Sequence, residues 1–155
     1  MKKNLFYSLM ALSIVVSSCS STQKVSLKET SKTPFVWEGA NLYFLMTDRF
    51  NNGDPSKDIN FNRNKTTGKL RGFEGGDIKG IIQKIDDGYF EQLGINAIWL
   101  TPIVEQIHDG VDEGTGLSYG FHGYWTRDWT ALDPNFGTKK DLAELVEKAH
   151  AKGIR

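Results

Sequence analysis

Two short apolar runs, each followed by a segment of helical periodicity, constrain the fold of this chain more than any other feature. Residues 41–47 (NLYFLMT) and 95–100 (INAIWL) have the composition of strands that are buried on both faces. Apolar residues recur at helical spacing over 77–93 and again over 138–152. The sequence therefore predicts a strand–helix–strand–helix order, in which parallel strands are joined by right-handed crossovers.

The ends of these elements carry their own signals. Gly94 and Gly153 supply the left-handed residue that commonly ends a helix, and Thr138 with Asp141 has the spacing of a capping box. Ile154 is predicted to open a third strand. Each strand–helix unit takes about 55 residues, so eight units approach the upper size range of barrels. The predicted fold class is α/β, the amino-terminal part of a (β/α)8 TIM barrel with about three of eight strands.

The amino terminus predicts export. Residues 1–18 combine a basic start with an apolar run of about 12 residues, which covers roughly 18 Å as a helix and is too short for the ~30 Å core of a bilayer. The segment before Cys19 resembles the lipobox of bacterial lipoproteins, which implies lipidation of Cys19 and an anchor in the outer membrane or at the cell surface. An ordinary secretory signal is the alternative. Polar residues 19–40 predict a disordered tether, and 41–155 the partial barrel.

Charge and cysteine content exclude several classes of protein. The 19 basic and 19 acidic side chains balance, and removing the signal peptide leaves 17 against 19. Without a basic field, the chain is not expected to bind nucleic acid, and its contact with a membrane is expected through the lipid anchor only. One cysteine excludes a disulfide framework and a cysteine-cluster zinc site. We expect a monomer.

The loop after the first predicted strand is rich in oxygen ligands. Asn52, Asp54 and Asp58 stand at the first, third and seventh positions of a turn with Gly and Pro, which lets side-chain oxygens converge as a calcium ion requires. The loop is not an EF-hand, since Lys57 replaces the invariant glycine and Arg63 replaces the bidentate glutamate. An ordinary exposed turn uses the same residue types, so both interpretations stay open.

The loop after the second predicted strand is aromatic. Helical or strand periodicity is absent from it, and sugar-binding sites combine flat aromatic faces with a few polar groups. The alternative is a small core over the barrel mouth, to which we assign Trp125, Trp129 and Phe136. Within 18 residues the loop holds six rings: Tyr119, Phe121, Tyr124, Trp125, Trp129 and Phe136.

Taken in order, five motifs resemble the amino-terminal part of the alpha-amylase superfamily of retaining glycoside hydrolases. The resemblance is greatest to secreted bacterial alpha-amylases and cyclodextrin glucanotransferases. It implies action on alpha-1,4-glucans such as starch or maltodextrin by a double displacement through a covalent intermediate. The motifs are Leu45–Phe50, Gly75–Asp77, Gly94–Pro102, His122–Trp125 and Asp133–Thr138.

The resemblance also implies site residues. Tyr124 is expected to stack under the sugar at the scissile bond, with His122 beside it. Lys57 falls where relatives often have an asparagine ligand, and an ammonium cannot coordinate a metal. The implied Ca²⁺ ligands are Asn52, Asp54, Asp58, the Gly75 carbonyl and Asp77.

No catalytic residue is expected within residues 1–155, because relatives take their three carboxylates from the ends of strands four, five and seven. The chain alone is therefore predicted to be inactive, as part of a longer enzyme. Asp48, Glu105 and Asp128 are not assigned catalytic roles, and Asp48 is predicted to form a buried ion pair with Arg49. The alternative function is a non-catalytic lipoprotein that binds glucan or calcium at the cell surface.

Overall fold

The computed structural model describes residues 34–155. The predicted signal peptide 1–18, the lipidation site Cys19 and the tether up to residue 33 lie outside the described residues. Residues 34–40, also assigned to the tether, include a 3₁₀ turn at Trp37–Gly39. The Phe35 ring lies edge-on to Trp37 at 4.8 Å and under the guanidinium of Arg155 at 5.5 Å.

Two parallel strands confirm the predicted start of the sheet. Strand β1 (Leu42–Leu45) pairs with β2 (Ala97–Leu100) in parallel register. The N–H of Arg155 donates to the Asn96 carbonyl at 2.9 Å, and the N–H of Ile98 donates to the Arg155 carbonyl at 2.6 Å. These two bonds are the pattern of a neighbouring parallel strand, so Arg155 lies where the predicted third strand should begin.

Helices cover one face of this sheet. The segment predicted as one helix over 77–93 is divided into α2 (Ile78–Asp86) and α3 (Tyr89–Gln92), because Gly88 has a φ of 79° between them. Helix α4 (Lys139–Ala151) packs on α2. It begins at the predicted capping box, in which the Thr138 and Asp141 side chains each accept the other's backbone N–H.

The hydrophobic core lies between β1, β2 and these helices. The other face of the strands is open among residues 34–155: Phe44 and Trp99, which were predicted to be buried, are 55% and 59% exposed. In a (β/α)8 barrel, side chains on that face form the layers that fill the interior, and several strands contribute to each layer. The buried core residues are Leu45, Ile78, Ile81, Ile82, Ile85, Phe90, Leu145, Ala149 and Ile154.

The two long connections follow the strands. After β1 come a single helical turn, α1 (Thr47–Phe50), and a 3₁₀ turn at Pro55–Lys57. After β2, the aromatic segment contains strands that the sequence analysis missed: β3 (Val104–Gln106) pairs with β6 (Thr126–Leu132), and the short β4 (Val111–Asp112) pairs with β5 (Leu117–Ser118), both antiparallel. The register of β3 against β6 shifts twice, which breaks the alternation that would have revealed it. Along 34–155, no helix has the length and apolar character needed to cross a bilayer.

Candidate functional site

The two loops meet beyond the carboxyl ends of β1 and β2. The N–H of Thr47 donates to Oγ1 of Thr101 at 3.1 Å, which joins the strand ends. Gly123 lies so close to Pro102 that a Cβ at this position would be 2.2 Å from the Pro102 carbonyl oxygen, and its φ is 88°. Only glycine combines this φ with this approach. The segment 122–124 is therefore held at the strand ends, the edge at which α/β barrels bind their substrates.

The two residues predicted to bind substrate, His122 and Tyr124, form one aromatic platform. Their rings are nearly parallel, with 5.8 Å between centroids and 17° between planes, and Tyr124 is 59% exposed. The backbone N–H of Tyr124 donates to Nδ1 of His122 at 3.0 Å. Burial lowers the pKa of His122, while Glu113 opposes this effect. The imidazole is thus held neutral with its proton on Nε2, the nitrogen that remains available as a donor.

Gln106 supports this platform from below, a role that the sequence analysis did not predict. Its side chain has no exposure, and its Oε1 accepts the N–H of Trp125 at 2.7 Å. Its Nε2 donates to the carbonyl of Val104 at 2.7 Å, and its backbone N–H donates to Oδ2 of Asp133 at 2.9 Å. A lone glutamine carries no sequence signal for this role, because only the fold places its side chain against the backbone of Trp125.

Arg63 connects the loop after β1 to the loop after β2. In the sequence analysis it was used only as evidence against an EF-hand. Its Nη1 donates to Oδ1 of Asp133 at 2.9 Å and to Oδ1 of Asn135 at 2.7 Å. The Asn135 amide in turn donates to the backbone carbonyls of Lys57 at 3.0 Å and Asp58 at 2.8 Å. The predicted metal loop is therefore fixed to the aromatic loop through Arg63 and Asn135.

Part of the predicted calcium ligand set converges in the structure. Nδ2 of Asn52 donates to Oδ1 of Asp58 at 2.9 Å, so the Asn52 oxygen would face an ion only with its amide group flipped. A Cβ at Gly75 would be 2.3 Å from the Asn52 amide and 2.6 Å from Oδ1 of Asp58, so the Gly75 backbone lies directly against both groups. An amide, a carboxylate and a backbone carbonyl are ligands that calcium accepts. These three residues fit the ion.

The other two predicted ligands are occupied by protein donors. Asp77 caps helix α2: its Oδ1 accepts the N–H groups of Gly80 at 2.6 Å and Gly53 at 3.1 Å, and its Oδ2 accepts that of Asp54 at 2.8 Å. The Asp54 carboxylate accepts from Ser56 and from the ammonium of Lys57. Within the described part of the chain, no three His, Cys, Asp or Glu side chains converge as a metal site would need.

Comparison with known proteins places this geometry in a family. A family model described as the alpha amylase catalytic domain matches residues 44–155. The chain belongs to the alpha-amylase family. It is similar to the periplasmic alpha-amylase of Escherichia coli (strain K12), with 46% identity over 129 residues that make up 81% of this chain and 19% of that protein.

Solved structures agree with the alpha-amylase assignment. The cyclomaltodextrin glucanotransferase CldA has a TM-score of 0.65 and 38% identity, covering 74% of this chain and 24% of its own. The alpha-amylase of Geobacillus thermoleovorans, solved with acarbose, has a TM-score of 0.57 and 38% identity, covering 79% and 22%. The predicted fold class, part of a TIM barrel, is confirmed. The chain spans about a fifth to a quarter of the length of these relatives.

The three carboxylates of this alpha-amylase segment that were not assigned catalytic roles, Asp48, Glu105 and Asp128, each bond to another group of the protein. The predicted ion pair is confirmed: Oδ2 of Asp48 lies 3.1 Å from Nε of Arg49. Asp48 also accepts the N–H groups of Glu74 and Gly75, and burial raises its pKa to about 6 against these bonds and the Arg49 charge. Glu105 contacts His108 at 2.7 Å, and Asp128 accepts from Thr130 at 2.7 Å.

The remaining rings of the alpha-amylase aromatic loop divide between packing and exposure. Phe136 is fully buried, as predicted, and Trp125 is partly buried with its ring edge-on to His122 at 4.9 Å. The assignment of Trp129 to packing was wrong for residues 34–155, where its side chain is 75% exposed on β6. Phe121 lies under the guanidinium of Arg49 at 4.1 Å, which adds a second contact between the loops.

Proposed function

We propose that residues 41–155 form the first part of the catalytic barrel of an enzyme that acts on alpha-1,4-glucans by the retaining double-displacement mechanism. Membership in the alpha-amylase family supports the reaction class. The observation that carries the proposal is the exposed Tyr124 ring, backed by His122 and fixed against Pro102 at the carboxyl end of β2. A flat, exposed ring at this edge suits the apolar C–H face of a glucose unit.

The chemistry of the platform follows from its two rings. Tyr124 offers a rigid apolar face, which holds a sugar at a fixed height above the strand ends. His122 is neutral, and its Nε2–H can donate to a sugar hydroxyl. Neither group transfers a proton in the reaction that we propose. Their role is to bind and orient, and the two reacting carboxylates come from strand ends outside residues 34–155.

The proposed role of calcium is structural. Asn52, Asp58 and the Gly75 carbonyl are the groups that would hold it, which is supported by the contact of Asn52 with Asp58 and by the closeness of the Gly75 backbone to both. The ion would supply positive charge that ties the loop after β1 to the segment leading into helix α2. No step of the reaction passes through the ion. Asp54 and Asp77 would not bind it, because they bond to Lys57 and to the N–H of Gly80.

We also propose that the protein is exported and anchored to the outer membrane or cell surface by acylation of Cys19. The similar protein from Escherichia coli is described as periplasmic, which supports export. The basic and apolar segment before Cys19 supports a lipoprotein signal. Cells grown with labelled palmitate should yield a labelled, membrane-bound protein, and Cys19→Ala should be unlabelled and released. Equal membrane partitioning of the two proteins would contradict the anchor.

The test of function uses the protein expressed from the complete reading frame. With maltoheptaose as substrate, Tyr124→Ala should lower kcat/KM by roughly tenfold to a hundredfold, the equivalent of ~1.5–3 kcal/mol of lost apolar contact. Tyr124→Phe keeps the ring and should stay within about threefold of wild type. Trp129→Ala, which removes an even more exposed ring from β6, is the matched control.

Two outcomes would reject the enzyme proposal. If the complete protein binds maltoheptaose in calorimetry but neither releases reducing sugar nor converts it into oligosaccharides of other lengths, the chain belongs to a surface glucan-binding lipoprotein instead. If Tyr124→Ala and Trp129→Ala have equal effects on kcat/KM, the platform is not the substrate site. Unfolding midpoints of all variants separate loss of contact from loss of fold.

A further inference from the structure

Lys57 is held in an unusual place for a lysine on a surface turn. Its side chain is only 21% exposed, and its ammonium contacts the Asp54 carboxylate. The carboxylates of Asp54, Asp141 and Asp77 all act on this ammonium with their negative charge. These acidic groups come from the loop and from the amino-terminal ends of helices α2 and α4.

The backbone around Lys57 is fixed, which directs the side chain. The Lys57 carbonyl accepts from Asn135, and its N–H donates to the Asp54 carbonyl at 3.0 Å. The N–H of Asp54 is bound by Asp77. The loop therefore holds the ammonium beside Asp54 instead of leaving it free in solvent.

The metal loop thus has two sides with different electrostatics. On one side, Asn52, Asp58 and Gly75 converge without a basic side chain among their contacts. On the other side, Asp54 and Asp77 lie in the field of the Lys57 charge. A divalent ion near Asp54 would be repelled by the ammonium that already pairs with it. The first side is therefore the one where calcium would meet no resident cation.

We propose that Lys57 acts as a resident cation that takes over part of the charge-balancing role of calcium in this loop. Its ammonium neutralises the Asp54 side, so the loop keeps its fold when calcium is removed. Calcium bound by Asn52, Asp58 and Gly75 is then an accessory ligand. This inference concerns the metal part of the proposed function and does not depend on which glucan the enzyme uses.

The experiment compares unfolding midpoints of the protein from the complete reading frame in excess EDTA and in excess CaCl₂. Wild type should differ by roughly 2 °C or less between the two conditions. Lys57→Asn places an oxygen ligand where the cation was, and its midpoint should fall in EDTA and rise by at least about 5 °C with calcium. Lys57→Arg keeps a cation and should respond as wild type does. Lys69→Asn, on an exposed lysine of the same loop, is the matched control.

Two results would overturn the proposal about Lys57. A wild-type midpoint that falls by more than about 5 °C in EDTA overturns the proposal without any variant, so it remains testable even if Lys57→Asn fails to fold. A folded Lys57→Asn with no larger calcium response than Lys69→Asn also overturns it. Because the readout is unfolding, failure of the glucan proposal would appear in the kinetics of the Tyr124 variants and not here.

Discussion

Arg63 and Asp133 form a two-bonded ion pair in which both side chains are completely buried, with Nη1 to Oδ1 at 2.9 Å and Nη2 to Oδ2 at 2.8 Å. The two residues are 70 positions apart and belong to different loops of the site. The second nitrogen also donates to the carbonyls of Gln106 and Ile107 at 3.0 and 3.1 Å. This pair connects the loop after β1 to the loop after β2 in the buried interior.

Removing one partner of this pair should be costly. Arg63→Met leaves the Asp133 charge buried without its counterion, and the free energy of unfolding should fall by ~3–5 kcal/mol. Urea unfolding at neutral pH measures the change. The control is Arg71→Met, whose partner Glu113 is at 3.0 Å but partly exposed, and it should cost about 1 kcal/mol or less. Equal losses in the two variants would contradict the role given to Arg63.

Removing the Asn135 side chain should destabilise the protein, because its amide donates to two backbone carbonyls. In Asn135→Ala, the Asp58 carbonyl loses its Asn135 donor, the Lys57 carbonyl keeps only Asn60, and Arg63 loses an acceptor. We expect a loss of ~1–3 kcal/mol in the free energy of unfolding, the usual cost of leaving a buried polar group unsatisfied. Asn64→Ala, on an exposed asparagine, should change stability by less than about 0.5 kcal/mol. Faster hydrogen exchange of the loop amides around Lys57 would locate the loss.

Gly123→Ala should damage the substrate platform. Its Cβ would be 2.2 Å from the Pro102 carbonyl oxygen, so the segment carrying Tyr124 must move away from the strand end. Because a displacement of about 1 Å can cost about a hundredfold in rate, kcat/KM on maltoheptaose should fall by a similar factor. Gly94→Ala is the control: its φ is also positive, at 68°, but no atom lies within 4 Å of its Cβ. Gly94→Ala should cost ~1 kcal/mol of stability and leave kcat/KM unchanged. Similar kinetic losses in both variants would contradict this account.

Asp48 should give stability a measurable dependence on pH. Burial raises its pKa to about 6, from 3.8 in the absence of the fold. Between these values the folded protein keeps the proton and the unfolded chain has lost it, so the free energy of unfolding falls as pH rises from about 4 to about 6. The contribution is fully present below about 4 and lost above about 6.

The contribution of Asp48 is measured by comparing the pH dependence of unfolding between wild type and Asp48→Asn. Urea unfolding of wild type and Asp48→Asn at several values between pH 4 and 7 should show that wild type loses more stability across this window, because the asparagine cannot titrate. Parallel profiles for wild type and Asp48→Asn would show that Asp48 does not carry this dependence.

Much of the fold could be predicted because it is encoded locally. The apolar run of β1, the stripe of α2 and the capping box at Thr138 are short-range patterns, and each appears in the structure. Strand β6 carries no such short-range pattern. Its pairing with β3 shifts register twice, and one of its faces is exposed. The break at Gly88 was also missed, since one glycine between two helical patterns does not distinguish a kink from an end.

The site was only partly visible in the sequence. Motif spacing indicated Tyr124 and His122, and the structure stacks their rings. The oxygen-rich turn indicated a metal loop, but nothing in the order of residues showed that Asp54 would be paired with Lys57 while Asn52 met Asp58. Gln106 and Arg63 were overlooked because their partners lie tens of residues away.

The sequence by itself determined which segments become strands and helices, which loops carry rings and oxygen ligands, and to which family the motifs belong, because these depend on neighbours within a few positions. Tertiary structure decided which charges meet. The ion pair of Arg63 with Asp133 joins residues from separate loops, and the fold also closes Gly123 onto Pro102 and partly buries Lys57 beside Asp54. Their energies depend on the removal of water, which only the assembled fold achieves.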